Sequence, residues 1–80
     1  HDCVIGDHAH IATGATLAGT VTVGRRAHIG AGASVRQGLT IGEGAIVGVG
    51  AVVVRDVMAG TTVVGVPAEP LADRVLGDDE

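Results

Sequence analysis

The chain contains no phenylalanine, tyrosine or tryptophan among its 80 residues. Aromatic side chains contribute much of the packing in ordinary globular cores, so their absence argues against a core of that kind. Proteins that bind single-stranded nucleic acids stack the bases on aromatic rings and present a basic surface, and this chain offers neither. We therefore expect no nucleic-acid partner.

Positive charge and cysteine are also scarce. Five arginines face nine acidic residues, which gives a formal net charge of −4 and makes phosphate backbones poor partners. The single cysteine cannot form an internal disulfide and fits a reducing compartment, so we expect a cytoplasmic location. No apolar run is long enough to span a bilayer, and we expect no membrane partner. Because the chain begins with histidine rather than methionine, we interpret it as a piece of a longer polypeptide.

Glycine, valine and alanine dominate the composition, and they follow a repeat of six. A large aliphatic residue recurs every six positions, and a small residue follows four positions after each one. Every third member of this small series is a larger residue, so three repeats form one unit of 18 residues. The aliphatic positions are Ile5, Ile11, Leu17, Val23, Ile29, Val35, Ile41, Val47 and Val53, and the larger residues at the small position are Val21, Leu39 and Val57.

A period of six fits neither an α-helix nor an isolated strand. It predicts an all-β solenoid of short parallel strands with 18 residues per coil and the aliphatic residues pointing inward. We expect the coils to occupy residues 1–58, and a closing loop and tail with a short helix over residues 70–76 to occupy residues 59–80. Three coils bury little apolar surface, so we also expect the chain to form an oligomer.

Residues 18 apart are predicted to stack in columns, which sorts the turns into three corners. The charged third corner is expected to face solvent, and the other two are better placed to meet a neighbouring chain. The first corner holds His1, Gly19, Gln37 and Arg55, the second holds Thr13, Ala31 and Val49, and the third holds Asp7, Arg25 and Glu43. His10 and His28 stack just before the second corner, half a coil from His1, so His1 and His10 can share a site only across two chains.

Few residues in this chain could carry chemistry. His1, followed by the carboxylate of Asp2, is a candidate general base, because imidazole exchanges protons near neutral pH and a carboxylate can orient it. The alternative for His1 is a solvated corner residue. His10 and His28 occupy positions held elsewhere by threonine or serine, which favours an exposed polar role for both. Cys3 fits a small interior position and is interpreted as structural rather than nucleophilic.

Three segments of the sequence resemble a known family. The stretch 1–11 with its His-Asp-Cys start and a second histidine at position 10, the stretch 30–33 and the stretch 63–68 resemble the catalytic domain of the sialic-acid O-acetyltransferase family. That family includes bacterial N-acetyltransferases that act on nucleotide-linked amino sugars. The resemblance covers about residues 1–70 and implies a left-handed parallel β-helix of hexapeptide repeats. It also implies a homotrimer with sites between subunits, acetyl-CoA as the donor and a sugar as the acceptor.

The resemblance also implies roles for particular residues. His1 would deprotonate the acceptor amine or hydroxyl, with Asp2 as its partner. His10 and the backbone of Gly19 would lie beside the acetyl group and the upper pantetheine arm of coenzyme A. The rest of the arm would follow the backbone of the second corner, at Ala31 and Val49, and no metal is expected.

Two features depart from the family pattern. Glu69 stands where lysine or arginine is usual, which leaves Arg55 or Arg74 as candidates for contact with the coenzyme phosphates. The sugar-binding α/β domain that usually precedes the prism is missing from this chain. The identity of the sugar and the choice between O- and N-acetylation therefore stay open.

Two other functional classes remain. One is a non-catalytic trimeric β-helix fragment, which would not bind coenzyme A. The other is a zinc-dependent protein like the carbonic anhydrases that share this prism, although the spacing of His1, His8, His10 and His28 does not match its ligand set well. Metal analysis of the purified protein distinguishes the zinc-dependent class from the other two interpretations.

Overall fold

A computed structural model describes residues 2–72 of the chain. Short strands follow one another every six residues, and two further strands close the series. The strands are β1 (Val4–Ile5), β2 (His10–Ile11), β3 (Thr16–Leu17), β4 (Thr22–Val23), β5 (His28–Ile29), β6 (Ser34–Val35), β7 (Thr40–Ile41), β8 (Ile46–Val47), β9 (Val52–Val53), β10 (Thr62–Val64) and β11 (Glu69–Pro70).

These strands form the three faces of a prism. The first face contains β1, β4 and β7, the second contains β2, β5, β8, β10 and β11, and the third contains β3, β6 and β9. Neighbouring strands in the repeat are parallel and 18 residues apart, as in the pairs Ile5–Val23 and Ile11–Ile29. The predicted all-β solenoid with 18 residues per coil is confirmed.

The core of the prism consists of the residues at every sixth position. Each of the strands β1 to β9 points one side chain outward and one inward, and the inward Ile29 and Ile41 have no exposed surface. In the first coil, Ile5 keeps 45% of its surface exposed because the second coil covers it from one side only. Cys3 packs against this core, and its thiol donates to the carbonyl of Ala18 at 3.3 Å, as expected for a structural residue.

The corners between the faces are tight turns. In the turn from Gly30 to Ala33, the N–H of the last residue donates to the carbonyl of the first at 3.1 Å, and Gly32 has a φ of 69°. A positive φ at the third residue alone defines a type II turn, which favours glycine at that position. Residues with a side chain occupy the same left-handed position in three other turns: His8, Thr20 and Arg26.

Glycine follows the inward residue in every coil of the first face, at Gly6, Gly24 and Gly42. A Cβ placed on Gly24 would lie 2.6 Å from the backbone nitrogen of Glu43 in the next coil, closer than real Cβ atoms approach other atoms. The close approach of successive coils on this face therefore requires glycine. At Gly19, in contrast, a Cβ would meet no atom within 4 Å.

The third coil is two residues shorter than the others. Val57 bridges to Ile41, 16 residues earlier, instead of the usual 18. The shortening falls just after Val53, at the first corner, where the N–H of Thr40 needs an acceptor. The carboxylate of Asp56 accepts that hydrogen bond at 2.8 Å, whereas the equivalent N–H one coil earlier donates to a main-chain carbonyl at 2.9 Å. A side chain thus replaces a main-chain acceptor in the ladder.

The strand ladder continues beyond Met58, the predicted end of the coils. Val63 of β10 lies opposite Val47 of β8 in a parallel pair, and β11 pairs with β10 in the antiparallel sense. Val57, which the repeat assigns to a small-residue position, lies instead in the inward aliphatic column with Ile41. The physical reason is the two-residue shortening, which shifts every later residue in register.

The predicted helix over residues 70–76 falls largely outside the described residues. Pro70 belongs to β11, and only Leu71 and Ala72 of the remainder are described, with helical backbone. In residues 2–72 there is no helix that is both long and apolar enough to cross a membrane.

We expect Gly24→Ala to lower the free energy of unfolding by about 3 kcal/mol, because the added methyl group must push the second and third coils apart. Urea denaturation of the purified chain measures this change. Gly19→Ala is the matched control, with an expected change within about 0.5 kcal/mol, since its methyl group meets no atom. Equal unfolding midpoints for the two variants would contradict the packing argument.

We expect Asp56→Ala to destabilise the prism by about 1 kcal/mol, because the N–H of Thr40 loses its acceptor. Asp56→Asn keeps a side-chain oxygen at the same place and is expected to stay closer to wild type. Urea denaturation again measures both values. An alanine variant as stable as the asparagine variant would show that the side-chain acceptor contributes nothing to the shortened coil.

Candidate active site

The second corner carries a column of main-chain donors. Ala31 and Val49 are the second residues of its turns in successive coils, and both residues are exposed. The carbonyl of Ala31 accepts the N–H of Gly50 at 2.9 Å, whereas the N–H groups of Ala31 and Val49 have no acceptor within residues 2–72. Coils stack at about 4.8 Å, so the two outward donors lie one above the other along the prism edge.

The uncharged side chains distinguish the second corner from the third. At the third corner Arg25 and Glu43 form an exposed ion pair at 3.6 Å, so charged side chains lie beside the main chain there. Thr13, Ala31 and Val49 leave the second corner neutral. A thin, largely apolar molecule with amide oxygens can therefore lie against this edge and accept hydrogen bonds from it.

Apolar side chains surround this edge at its later coils. Ile46 of β8 is 44% exposed, Val49 is 80% exposed, and Val66 in the loop after β10 is 71% exposed. Large apolar side chains grouped on a surface commonly mark a ligand or protein contact. The exposed side chains of Ile46, Val49 and Val66 thus form an apolar border beside the main-chain N–H donors of the second corner.

His10 and His28 lie on the second face, just before this corner. Their ring centroids are 4.8 Å apart and their planes differ by 13°, so the predicted stack of the two histidines is confirmed. Both side chains are exposed. They are paired residues of the parallel strands β2 and β5 and point outward from the same column.

The space next to the Cα of Gly19, at the first corner, is open to solvent. Its carbonyl accepts two hydrogen bonds, from the N–H of Gly38 at 3.0 Å and from the hydroxyl of Thr20 at 2.6 Å. Its own N–H has no acceptor within the described part of the chain. Gly19 is outside the left-handed φ region, and a Cβ there would touch nothing. Neither the turn nor the packing requires glycine at this position, and its main chain is open on that side.

A single chain does not bring the predicted site residues together. His10 and Gly19 are half a coil apart and lie on different sides of the prism. Asp2 is exposed, whereas its predicted partner His1 lies outside the described residues, as does Arg74. A site that combines the first corner with the second face therefore needs two prisms side by side.

A cavity of about 320 Å³ at the C-terminal end of the prism was missed by sequence reasoning. The inward residues Val53 and Val57 and the first-corner residue Arg55 contribute to its wall. It forms where the shortened coil meets the β10–β11 hairpin. The one sequence signal for it is the interrupted period after Val53. Within residues 2–72, no three histidine, cysteine, aspartate or glutamate side chains form a candidate metal site.

Solved structures of bacterial acetyltransferases resemble this chain. A mutant of perosamine N-acetyltransferase from Caulobacter crescentus, in complex with CoA and GDP-perosamine, is 48% identical with a TM-score of 0.85, over 86% of this chain and 33% of that chain. The acetyltransferase domain of PglB from Neisseria gonorrhoeae, in complex with acetyl coenzyme A, is 46% identical with a TM-score of 0.86, over 88% and 34%. WeeI from Acinetobacter baumannii is 51% identical with a TM-score of 0.85, over 88% and 35%.

Over the aligned region, this chain is similar to members of the bacterial hexapeptide-repeat sugar acetyltransferase family. The expected resemblance is confirmed, and the prism is the left-handed parallel β-helix of that family. No protein-family model and no curated protein matches the chain. The chain spans about a third of the length of these solved acetyltransferases.

The hexapeptide-repeat prism also occurs in an acetyltransferase with a different acceptor. Serine acetyltransferase from Neisseria gonorrhoeae, in complex with serine, is 42% identical with a TM-score of 0.82, over 85% of this chain and 31% of that chain. The prism therefore occurs in acetyltransferases with different acceptors, and the fold alone does not identify the acceptor.

Proposed function

We propose that this chain is the acetyl-transfer domain of an enzyme that moves an acetyl group from acetyl-CoA to an amine or hydroxyl of a sugar. The observation that carries the proposal is the column of free N–H groups at Ala31 and Val49, beside an apolar border. The pantetheine arm of coenzyme A is a thin chain with two amide groups, whose oxygens need donors spaced along its length. The CoA and acetyl-CoA complexes of its relatives support this choice of donor.

The acetyl end of the donor belongs near His10 and Gly19 in this proposal. These residues lie on different sides of one prism, so each site takes His10 from one chain and the first corner from its neighbour. A homotrimer satisfies this requirement three times around a closed ring. The exposed apolar residues Ile46 and Val66 then lie where a neighbour or the coenzyme can cover them.

The proposed chemistry is direct attack within a complex of both substrates. His1 takes a proton from the acceptor amine or hydroxyl, and Asp2 orients its ring. The acceptor adds to the thioester carbonyl, and donors near His10 and Gly19 stabilise the negative oxygen of the tetrahedral intermediate. The carbon–sulfur bond then breaks, and the coenzyme leaves as a thiolate that takes up the proton. Arg55, in the column of His1, is a candidate contact for the coenzyme phosphates.

The acceptor is proposed to be a nucleotide-linked sugar, because a sugar N-acetyltransferase with bound GDP-perosamine is 48% identical to this chain. The match to serine acetyltransferase favours a second candidate, a free amino-acid hydroxyl. A transfer assay with both acceptor classes separates the two. Since acetyl-CoA and nucleotide-linked sugars are made in the cytoplasm, we propose that the protein acts there.

We expect Ala31→Pro to weaken coenzyme A binding by about two- to tenfold, the effect of one lost hydrogen bond, because proline removes the outward N–H. Proline suits the second residue of a type II turn, so the fold should keep its stability. Isothermal calorimetry with coenzyme A measures the affinity of the wild-type and variant chains.

Glu43→Pro is the matched control for that measurement, because it removes the same N–H from a type II turn at the charged third corner. The exposed ion pair that it also removes contributes little to stability. Its affinity for coenzyme A should equal that of wild type. Equal losses in both variants would contradict a site at the second corner, and a wild-type chain without affinity would favour the non-catalytic prism.

We expect His1→Ala to lower acetyl transfer by about 100-fold or more, the usual contribution of a general base, and to leave coenzyme A affinity unchanged. Steady-state release of free coenzyme A measures turnover, and calorimetry measures binding. His8→Ala removes a histidine from the third corner and serves as the control, with turnover like wild type. Near-wild-type turnover in His1→Ala would overturn the assignment of His1 as the base.

A further inference from the structure

His10 and His28 form a stacked pair although both side chains are exposed. The two residues are direct partners in the parallel pairing of β2 and β5, and their rings are 4.8 Å apart and within 13° of parallel. The ladder fixes the separation of their Cα atoms. Stacking therefore costs the pair little beyond the choice of rotamer, and offset stacking is one of the arrangements that aromatic rings prefer.

Stacking is the contact that the chain supplies to orient the ring of His10. Within residues 2–72 neither imidazole has a hydrogen-bond partner. An exposed histidine without a partner samples several rotamers, and its ring turns about a soft terminal torsion. A flat neighbour 4.8 Å away restricts that ring to one plane. Ile46 is the partner of His28 in β8, on the side of His28 away from His10.

The parallel arrangement argues against a metal site at this pair. The lone pairs of an imidazole lie in the plane of its ring, and two ligands of one ion must point at a common centre. Rings within 13° of parallel direct their lone pairs side by side instead. The described residues also provide no third ligand. The geometry thus fits mutual support of the rings rather than chelation.

We propose that His28 is a positioning residue that holds the ring plane of His10 by face-to-face stacking, so that a ring nitrogen of His10 faces the acyl oxygen of the bound donor. This inference rests on the proposed role of His10 at the acetyl group. His28 itself touches neither donor nor acceptor in this proposal. A flat ring is what the position requires, and the nitrogens of His28 are dispensable.

Three variants of the whole chain test the proposal. His28→Ala removes the ring, His28→Phe keeps a flat ring without nitrogens, and Thr22→Ala truncates the equivalent outward residue of the first face as the matched control. The first readout is the NMR resonances of the His10 ring protons in the free protein, which feel the ring current of a stacked neighbour. The second is kcat and KM for acetyl-CoA in acetyl transfer to the sugar acceptor.

We expect His28→Ala to shift the His10 ring resonances and to lower kcat about three- to tenfold, with a smaller effect on KM. His28→Phe should recover most of the lost kcat, and Thr22→Ala should match wild type in both readouts. The proposal is overturned if His28→Ala resembles Thr22→Ala, or if His28→Phe fails to rescue turnover. A wild-type chain that binds no coenzyme A overturns the proposed function instead, and the ring resonances then still decide whether His28 orients His10.

Discussion

Every other feature of this prism depends on the main-chain ladder between its coils. Hydrogen bonds repeat every 18 residues and hold successive coils about 4.8 Å apart. This spacing leaves no room for a side chain at Gly24, whose Cβ would meet the backbone of the next coil at 2.6 Å. It also brings His10 and His28 close enough to stack. Few residue types meet these demands, which accounts for the restricted composition of the chain.

The same ladder explains why the candidate site is made largely of backbone. In the regular turns of the second and third coils, the N–H of the third residue donates to the coil before it, as Gly32 does to Thr13, and the N–H of the second residue has no acceptor among residues 2–72. Side chains then decide which corner a ligand can use. Arg25 and Glu43 pair across the third corner, whereas Ala31 and Val49 leave the second corner clear. The side chains therefore determine which main-chain N–H groups a ligand can reach.

The repeat predicted most of the fold, because a period of six with a longer period of 18 fixes which residues face inward and which stack. It predicted the histidine stack for the same reason. It did not predict the shortened third coil, since the inward position passes to Val57 only when Asp56 supplies an acceptor from its side chain. It also missed Thr20 in the left-handed position, because turn residues are chosen by local backbone geometry and glycine is the usual choice there. The assignment of His1 as general base stays a prediction, which rests on the His1-Asp2 pair and on the family resemblance, because a repeat of 18 residues does not by itself identify a base.

The shortened coil has a consequence for how such chains change length over evolution. A solenoid of this type should tolerate the gain or loss of whole repeats, since any other change shifts inward residues outward in every later strand. Here two residues are missing at the first corner, and the coils beyond it regain their inward positions. The carboxylate of Asp56 completes the ladder where the main chain falls short. In this chain, one acidic side chain at a corner completes the ladder of a coil that is two residues shorter than the repeat.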